Sequence, residues 1–279
     1  MTTITSLIAA KKSASRVLVA TTVGALVVMT ATPARAAYVI LKNNPDVKIE
    51  GTDISWHKSD NTIVVKQGPV TKAFQRDAVL VAEADAPPEF AAGMQAFSAK
   101  QYQKTIDTMD AIARDKAGVE VDKMARIVMA KAYIGLDKAG EAVSQFDEIF
   151  KVYDTANKDS KIELEYANAL LAAKQYGKLE TVLGEIIQNG PRDAAAKAQN
   201  MRGDMKMTQS QPDAALLDYM RTAVFFESEE IAAPEGLYKA ADILSKKGDA
   251  VRAKKLFKQI LDEYKESSSP YVAKAQGRA

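Results

Sequence analysis

The stretch Leu237–Glu266 predicts two amphipathic helices joined by a tight turn. Gly248–Asp249 supplies the turn, and Ala241 and Ala253 supply small side chains where the two helices can cross closely. Large apolar residues such as Phe257 lie beside these small ones. A hairpin of this kind buries one apolar face internally and leaves a second face bare, so it must stack on a neighbour.

The same hairpin recurs four times upstream. The small residue of the first helix recurs at steps of 37, 37, 36 and 38 residues, at Gly93, Ala130, Ala167, Gly203 and Ala241. Twelve residues later comes the crossing residue of the second helix, at Thr105, Ala142, Leu179, Ala215 and Ala253. Four residues further on there is always a large side chain, at Met109, Phe146, Leu183, Tyr219 and Phe257. Three residues after that come Ile112, Ile149, Ile186, Thr222 and Ile260. These positions predict five stacked hairpins over residues 85–266.

This pattern resembles the tetratricopeptide repeat (TPR) family. The residues that match its pattern are Gly93 and Gly203, Tyr102 and Tyr176, Ala142 and Ala253, Phe146 and Phe257, and Pro191. The period departs from the family's ~34 residues, and the fourth unit has Lys206, Pro212 and Thr222 where apolar residues are expected. The resemblance implies a mainly α fold, a right-handed α-solenoid of about five TPR-like hairpins. An unrelated helical bundle is the alternative.

Residues 1–36 have the features of a secretory signal peptide. Basic residues precede the apolar run Val17–Met29, and Ala34 and Ala36 form an Ala-x-Ala cleavage site. The apolar run is about 13 residues long, which is short of the ~20 needed to span a bilayer. The sequence therefore predicts removal of this segment and export, with the periplasm as the expected compartment. A retained membrane anchor is the alternative.

Residues 37–84 predict a small β module. Apolar residues recur there with a period of two, and turn signals separate them every eight to twelve residues. Five short strands, arranged as an SH3-like barrel or a meander, fit this pattern, and we expect the module to dock against the first helices. Trp56 and His57 could form a ligand site, but alternation favours a packed tryptophan and an outward-facing histidine.

Composition excludes several kinds of site. The chain has no cysteine and a single histidine, so neither a cysteine-ligated metal nor a histidine cluster is expected. Its formal charge of +2 falls to −2 without the four basic residues of the leader, which argues against nucleic acid as a partner. No phosphate loop, cofactor site or catalytic set is present, so the sequence does not predict an enzyme. The acidic run Glu227–Glu230 is expected to be solvated.

In the TPR family the first helix of each hairpin lines the concave face, and residues three and four apart share a face. An inner stripe is therefore predicted for this chain, mostly apolar in the first three units and polar in the fourth. We expect it to bind another protein or a peptide segment, with Asn168 and Asn200 exposed to bond the partner's backbone. The predicted groove residues are Met94, Phe97, Ile127, Lys131, Ile134, Leu164, Asn168, Leu171, Lys197, Asn200 and Asp204.

Two functions remain open at this point. One is a periplasmic interaction scaffold, such as the TPR modules of cell-division coordinators and outer-membrane assembly proteins, which the last repeat resembles. The other is a structural envelope protein whose β module binds a cell-wall or surface ligand while the solenoid acts as a spacer. Residues 267–279 are expected to form a capping helix or a frayed tail, and oligomerisation remains possible.

Overall fold

A computed structural model describes residues 37–153 and 155–279. The predicted signal peptide, residues 1–36, lies outside the described residues. The described residues form a small β module and the helices that come after it, which together belong to one compact unit.

The β module contains six strands rather than the five predicted, in two antiparallel sheets of three strands each. In the first sheet β1 is central and pairs with both β2 and β6, and in the second sheet β3, β4 and β5 follow one another as a meander. The strands are β1 (Ala37–Leu41), β2 (Asn44–Gly51), β3 (Asp53–His57), β4 (Thr62–Gln67), β5 (Val70–Gln75) and β6 (Val79–Glu83).

The β module shares one hydrophobic core with the first helices. Val39 and Ile63 of the sheets are fully buried in the same cluster as Met109 and Val121 of the helical region. The Trp56 ring packs against Gly118, which has φ +77°. A side chain at residue 118 would meet that ring at 2.8 Å. His57 is exposed. The predicted orientations of the tryptophan and the histidine are therefore confirmed.

Five helical hairpins follow, and a short helix comes after them. The helices are α1 (Pro88–Ser98), α2 (Tyr102–Asp115), α3 (Glu120–Gly135), α4 (Ala139–Val152), α5 (Ser160–Ala172), α6 (Tyr176–Asn189), α7 (Arg192–Thr208), α8 (Pro212–Phe225), α9 (Ala232–Lys246), α10 (Ala250–Glu263) and α11 (Pro270–Gln276). Hairpins 1 to 5 are the successive pairs from α1–α2 to α9–α10. The second helix of each hairpin has 14 residues, whereas the first helices vary in length.

The repeat register predicted from the sequence is confirmed in every hairpin. All five small residues of the first helices are buried, and so are all fifteen residues predicted to pack from the second helices. Thr105 and Thr222, which are polar at these positions, donate hydroxyl hydrogen bonds to the carbonyls of Gln101 and Asp218 one turn earlier. Their hydroxyl groups can therefore be buried without an unmade hydrogen bond.

Each hairpin turns through one residue in the left-handed conformation. These residues have φ between 55° and 83° and are Lys100, Asp137, Lys174, Ser210 and Gly248. In hairpin 5 the N–H of Asp249 donates to the carbonyl of Leu244, and the equivalent six-residue bond closes each of the other four turns. This is the Schellman arrangement, which satisfies carbonyls at the end of the first helix.

Helix α11 packs at the end of the solenoid. Its Val272 and Ala275 are buried against α9 and α10, and the Tyr271 ring lies 5.3 Å from the Tyr238 ring. Beyond the helix, Arg278 donates to a carboxylate oxygen of Asp242 at 2.8 Å. The segment therefore covers the apolar face that hairpin 5 would otherwise leave bare.

Gly184 offers a test of the helical packing, because a side chain added there requires no movement of its neighbours. It lies inside α6, and a Cβ added there would meet nothing within 4 Å. Gly184→Ala should therefore raise the free energy of unfolding by about 0.5–1 kcal/mol, because alanine loses less backbone entropy in a helix. Urea denaturation measures this, and a lower stability would show that the site is more crowded than described.

Candidate binding groove

The first helices of neighbouring hairpins pack against one another, from α1 with α3 to α7 with α9. They therefore line the inner face of the solenoid, as the resemblance implied. We call the part of this face formed by α5, α7, α9 and α11 the concave groove. Two adjoining depressions lie along it, and Asp204 contributes to both.

The first depression has a volume of about 520 Å³ and brings together residues from three hairpins. Four of its lining residues belong to the predicted stripe, namely Leu164, Asn168, Lys197 and Asp204. The other four were not predicted from the sequence, and they are Lys161, Glu165, Met201 and Glu235. Its walls thus combine apolar side chains with lysines, carboxylates and one exposed amide.

Ion pairs cross this face from one hairpin to the next. Lys131 of hairpin 2 lies 2.5 Å from Glu165 of hairpin 3, and Asp204 of hairpin 4 lies 2.8 Å from Lys239 of hairpin 5. The corresponding positions between hairpins 3 and 4 hold Asn168 and Met201, which cannot form an ion pair. The amide of Asn168 is exposed within the first depression and is available to a ligand.

The second depression has a volume of about 410 Å³ and is rich in tyrosine. Tyr219, Tyr238 and Tyr271 line it together with Asp204 and Lys239. The Tyr219 hydroxyl donates to Asp204 at 2.8 Å. The Lys239 ammonium donates to both oxygens of Asp204, at 2.8 and 2.9 Å, and is paired with Glu235 at 2.6 Å.

The electrostatics of this network hold Lys239 charged. Burial acts to lower the pKa of its ammonium, but the nearby carboxylates of Asp204 and Glu235 outweigh burial and raise that pKa. The pKa of Tyr219 is also raised, first by burial and then by the charge of Asp204. The network is therefore a set of satisfied ion pairs and hydrogen bonds that stiffens one wall of the groove.

The other predicted groove residues differ in how far they reach solvent. Met94, Asn168 and Lys197 are exposed. Lys197 is 3.2 Å from Asp193 on its own helix, an exposed contact that leaves its ammonium accessible. The other apolar members of the stripe are half-buried and pack against buried core residues, namely Phe97, Ile127, Ile134, Leu164 and Leu171.

The prediction that Asn200 is exposed is wrong. Its side chain is only 2% exposed, and its amide nitrogen donates to the carbonyl of Ala232 at 2.9 Å. Gly236 makes room for it, because a Cβ there would lie 3.0 Å from the Asn200 side-chain oxygen. Asn200 therefore joins hairpin 4 to the start of α9 and cannot reach a ligand in this conformation.

The described part of the chain holds neither a metal cluster nor a helix suited to a bilayer. Among residues 37–153 and 155–279, no three histidine, cysteine or carboxylate side chains come together as a metal site would require. Across the same ranges, none of the helices has the length and apolar character needed to cross a membrane.

Comparison with known proteins identifies the fold. The chain is similar to a Rap protein complexed with competence and sporulation factor, with a TM-score of 0.52 and 18% identity over 67% of this chain and 56% of the Rap protein. It is similar to the apo form of RapI, with a TM-score of 0.52, 13% identity and the same coverage. A putative kinesin light chain of Podosopora anserina with nearly identical TPR-like repeats matches with a TM-score of 0.50 and 13% identity, over 67% of this chain and 95% of that one.

The fold is a TPR-like solenoid preceded by a small antiparallel β module. The chain spans just over half the length of the Rap proteins that it matches. No protein-family model matches the sequence, and a search of curated proteins finds no match.

Proposed function

We propose that the protein is a non-catalytic scaffold that holds a segment of a partner polypeptide in the concave groove. The observation that carries this proposal is the first depression, where Leu164 and Asn168 of α5, Lys197 and Asp204 of α7, and Glu235 of α9 line one surface. A TPR-like fold also supports it, and one similar structure is a complex with a bound factor.

The groove suits an extended segment. The exposed amide of Asn168 can donate to and accept from a peptide backbone, which gives affinity without regard to sequence. Leu164 offers apolar contact, and Met201 adds an adaptable side chain. Lys161 and Lys197 lie at equivalent positions in successive first helices, so an acidic side chain of the partner can approach both.

Export to the periplasm belongs to the same proposal. Its basis is the leader sequence of residues 1–36, which carries an apolar run and an Ala-x-Ala site. A periplasmic scaffold with a peptide-holding groove fits a role in envelope assembly or cell division. Fractionation of cells that produce the full chain tests the location, and recovery with the cytoplasm would contradict it.

A variant in the groove tests the function. Asn168→Ala combined with Lys197→Ala should weaken partner binding about tenfold or more. The double variant removes one side-chain amide that can bond the partner's backbone and one positive charge. The melting temperature should change little, because both side chains are exposed. The measurement is quantitative mass spectrometry of proteins that the immobilised chain captures from an envelope extract, followed by titration of the captured partner.

The matched control carries Lys178→Ala and Gln188→Ala on α6. These side chains are also exposed, but they lie on a second helix and therefore outside the groove. The control should capture the same partner as the unaltered chain. Equal capture by both variants would refute the groove as the binding surface.

The β module provides a second candidate function, as the ligand-binding part of a structural envelope protein. A depression of about 490 Å³ lies where β1 and β2 meet α3, lined in part by Tyr38, Lys48 and Glu50. The Lys48 ammonium lies 4.2 Å from the centre of the Tyr38 ring. Loss of capture in Lys48→Glu, with full capture by the groove variant, would favour this function.

A further inference from the structure

The outward face of α8 is unlike that of the other second helices. Leu217, Val224 and Phe225 are 53%, 60% and 63% exposed. In the other four hairpins, the eight residues at the positions equivalent to Leu217 and Val224 are all polar, among them Asp107 and Ser144. The repeat thus provides its own comparison, in which only hairpin 4 presents an apolar stripe to solvent at these positions. Exposed apolar surface of this kind marks a contact with another molecule.

The neighbouring helix α10 gives this surface two oppositely charged ends. Its first two turns expose Lys254 and Lys255, and Lys258 follows one turn later; within residues 37–153 and 155–279 none of these three lysines forms an ion pair. Its last turn exposes Asp262 and Glu263. Lysine side chains therefore occupy this outward face from its start to its middle, and carboxylate side chains occupy its last turn.

Helices α8 and α10 run in the same direction, so their ends coincide. At the amino-terminal end Lys247 forms an ion pair with Asp213. At the carboxyl-terminal end the Tyr264 hydroxyl donates to the carbonyl of Glu227 at 2.7 Å. The exposed side chains of Glu227 and Glu230 therefore lie at the same end as Asp262. Along the α8 axis the surface is basic, then apolar, then acidic, with Arg192 as a basic group at the acidic end, where it donates to the carbonyl of Phe225 and pairs with Glu229.

From this arrangement we propose that a second copy of the chain binds this face, forming a two-fold symmetric dimer. A two-fold axis near the middle of α8 sets the two α8 helices antiparallel, so that each copy presents the same surface to the other. Leu217 of one copy then meets Val224 and Phe225 of the partner copy. The basic end of each copy meets the acidic end of the other. Arg221, between the apolar residues, stays bonded to Asp218 at 2.9 Å.

The self-complementary charge distribution favours a second copy over other occupants. A membrane surface of anionic lipid would be attracted by the basic end and repelled by Glu227, Glu230 and Asp262. The dimer leaves the inner face of the solenoid open, because it uses only second helices and the loop that follows α8. This inference is therefore independent of the function proposed for the groove.

Sedimentation velocity of the unaltered chain should show a dimer with a Kd below about 100 μM. Leu217→Ser combined with Phe225→Ser should raise the dimer Kd about a hundredfold, because each apolar contact occurs twice in a two-fold interface. The melting temperature of the dissociated variant should stay close to that of the unaltered monomer, because both side chains are exposed. A purely monomeric unaltered chain would overturn the proposal, and so would an unchanged Kd.

A charge exchange tests whether the oppositely charged ends of the two copies meet in the interface. One variant carries Lys254→Glu, Lys255→Glu and Lys258→Glu, and the other carries Glu227→Lys, Glu230→Lys and Asp262→Lys. Each variant alone should be monomeric because like charges meet at both ends, whereas an equimolar mixture should form a heterodimer. A control with Lys104→Glu, Lys138→Glu and Lys178→Glu on earlier hairpins should dimerise normally.

The remaining outcomes of these experiments contradict the proposal. A mixture of the two charge variants that stays monomeric would exclude the pairing of these charged ends. A monomeric unaltered chain that pellets with phosphatidylglycerol vesicles would assign the face to a membrane surface instead.

Discussion

Replacing Asp122 by alanine is expected to lower the free energy of unfolding by about 3–5 kcal/mol. This carboxylate is 1% exposed and lies at the start of α3. It accepts hydrogen bonds from the Arg126 guanidinium at 2.7 Å, the backbone N–H of Gly118 at 3.1 Å and the Tyr153 hydroxyl at 3.1 Å. These contacts join the loop before α3, the helix itself and the residue after α4. Without the carboxylate, the largely buried Arg126 keeps its charge and loses its counter-ion.

Two further variants separate the charge from the packing. Asp122→Asn keeps the shape and one acceptor oxygen, so it should cost less than alanine. Asp122→Leu with Arg126→Met removes both charges together, and should recover part of the stability because no buried charge is left unpaired. Urea denaturation measures all three variants. If Asp122→Ala costs under about 1 kcal/mol, solvent reaches Arg126 more freely than the structure indicates.

The helical part of the fold follows from spacing. Close packing of two helices needs a small residue at the crossing and a large one beside it, and this demand repeats with the hairpin. The five small residues, from Gly93 to Ala241, therefore fixed the register of ten helices without knowledge of any contact. Even hairpin 4, whose Lys206, Pro212 and Thr222 depart from the family pattern, keeps the register at Gly203 and Ala215.

The hairpin turns show where local sequence carries little information. All five turns use a left-handed residue, yet only Gly248 is a glycine. Lys100, Asp137, Lys174 and Ser210 adopt the same conformation because the six-residue hydrogen bond and the packing of the two helices outweigh a local cost of about 1–2 kcal/mol. Only the repeat, by its constant spacing, reveals these turns.

The candidate groove was predicted less completely than the fold. Asn168 and Lys197 lie in it as exposed side chains, but Asn200 is buried because Gly236 lets it reach the backbone of α9. Periodicity alone cannot distinguish an amide that faces solvent from one that faces the next hairpin. The sequence did contain a signal that Asn200 is buried, namely the glycine at residue 236 of the next hairpin, which faces it. The ion pairs between neighbouring first helices also had a signal in the sequence, because the oppositely charged Lys131 and Glu165 are nearly one repeat apart.

Gly203→Ala is expected to lower the free energy of unfolding by about 1–3 kcal/mol, near the upper end of that range. A Cβ at this position would lie 2.3 Å from the ring of Tyr219. The ring cannot move aside cheaply, because it is buried and its hydroxyl is bonded to Asp204. Thermal and urea denaturation should both show the loss.

The matched control is Gly93→Ala, the same substitution at the same position of hairpin 1. There the new Cβ would lie 2.6 Å from the terminal methyl of Met109, the end of a flexible side chain that can rotate away. Alanine also favours the helix by about 1 kcal/mol over glycine, so Gly93→Ala should stay within about 1 kcal/mol of the unaltered protein. The two variants differ only in whether the neighbour can yield. Equal losses at both positions would mean that the bond between Tyr219 and Asp204 does not hold the ring in place.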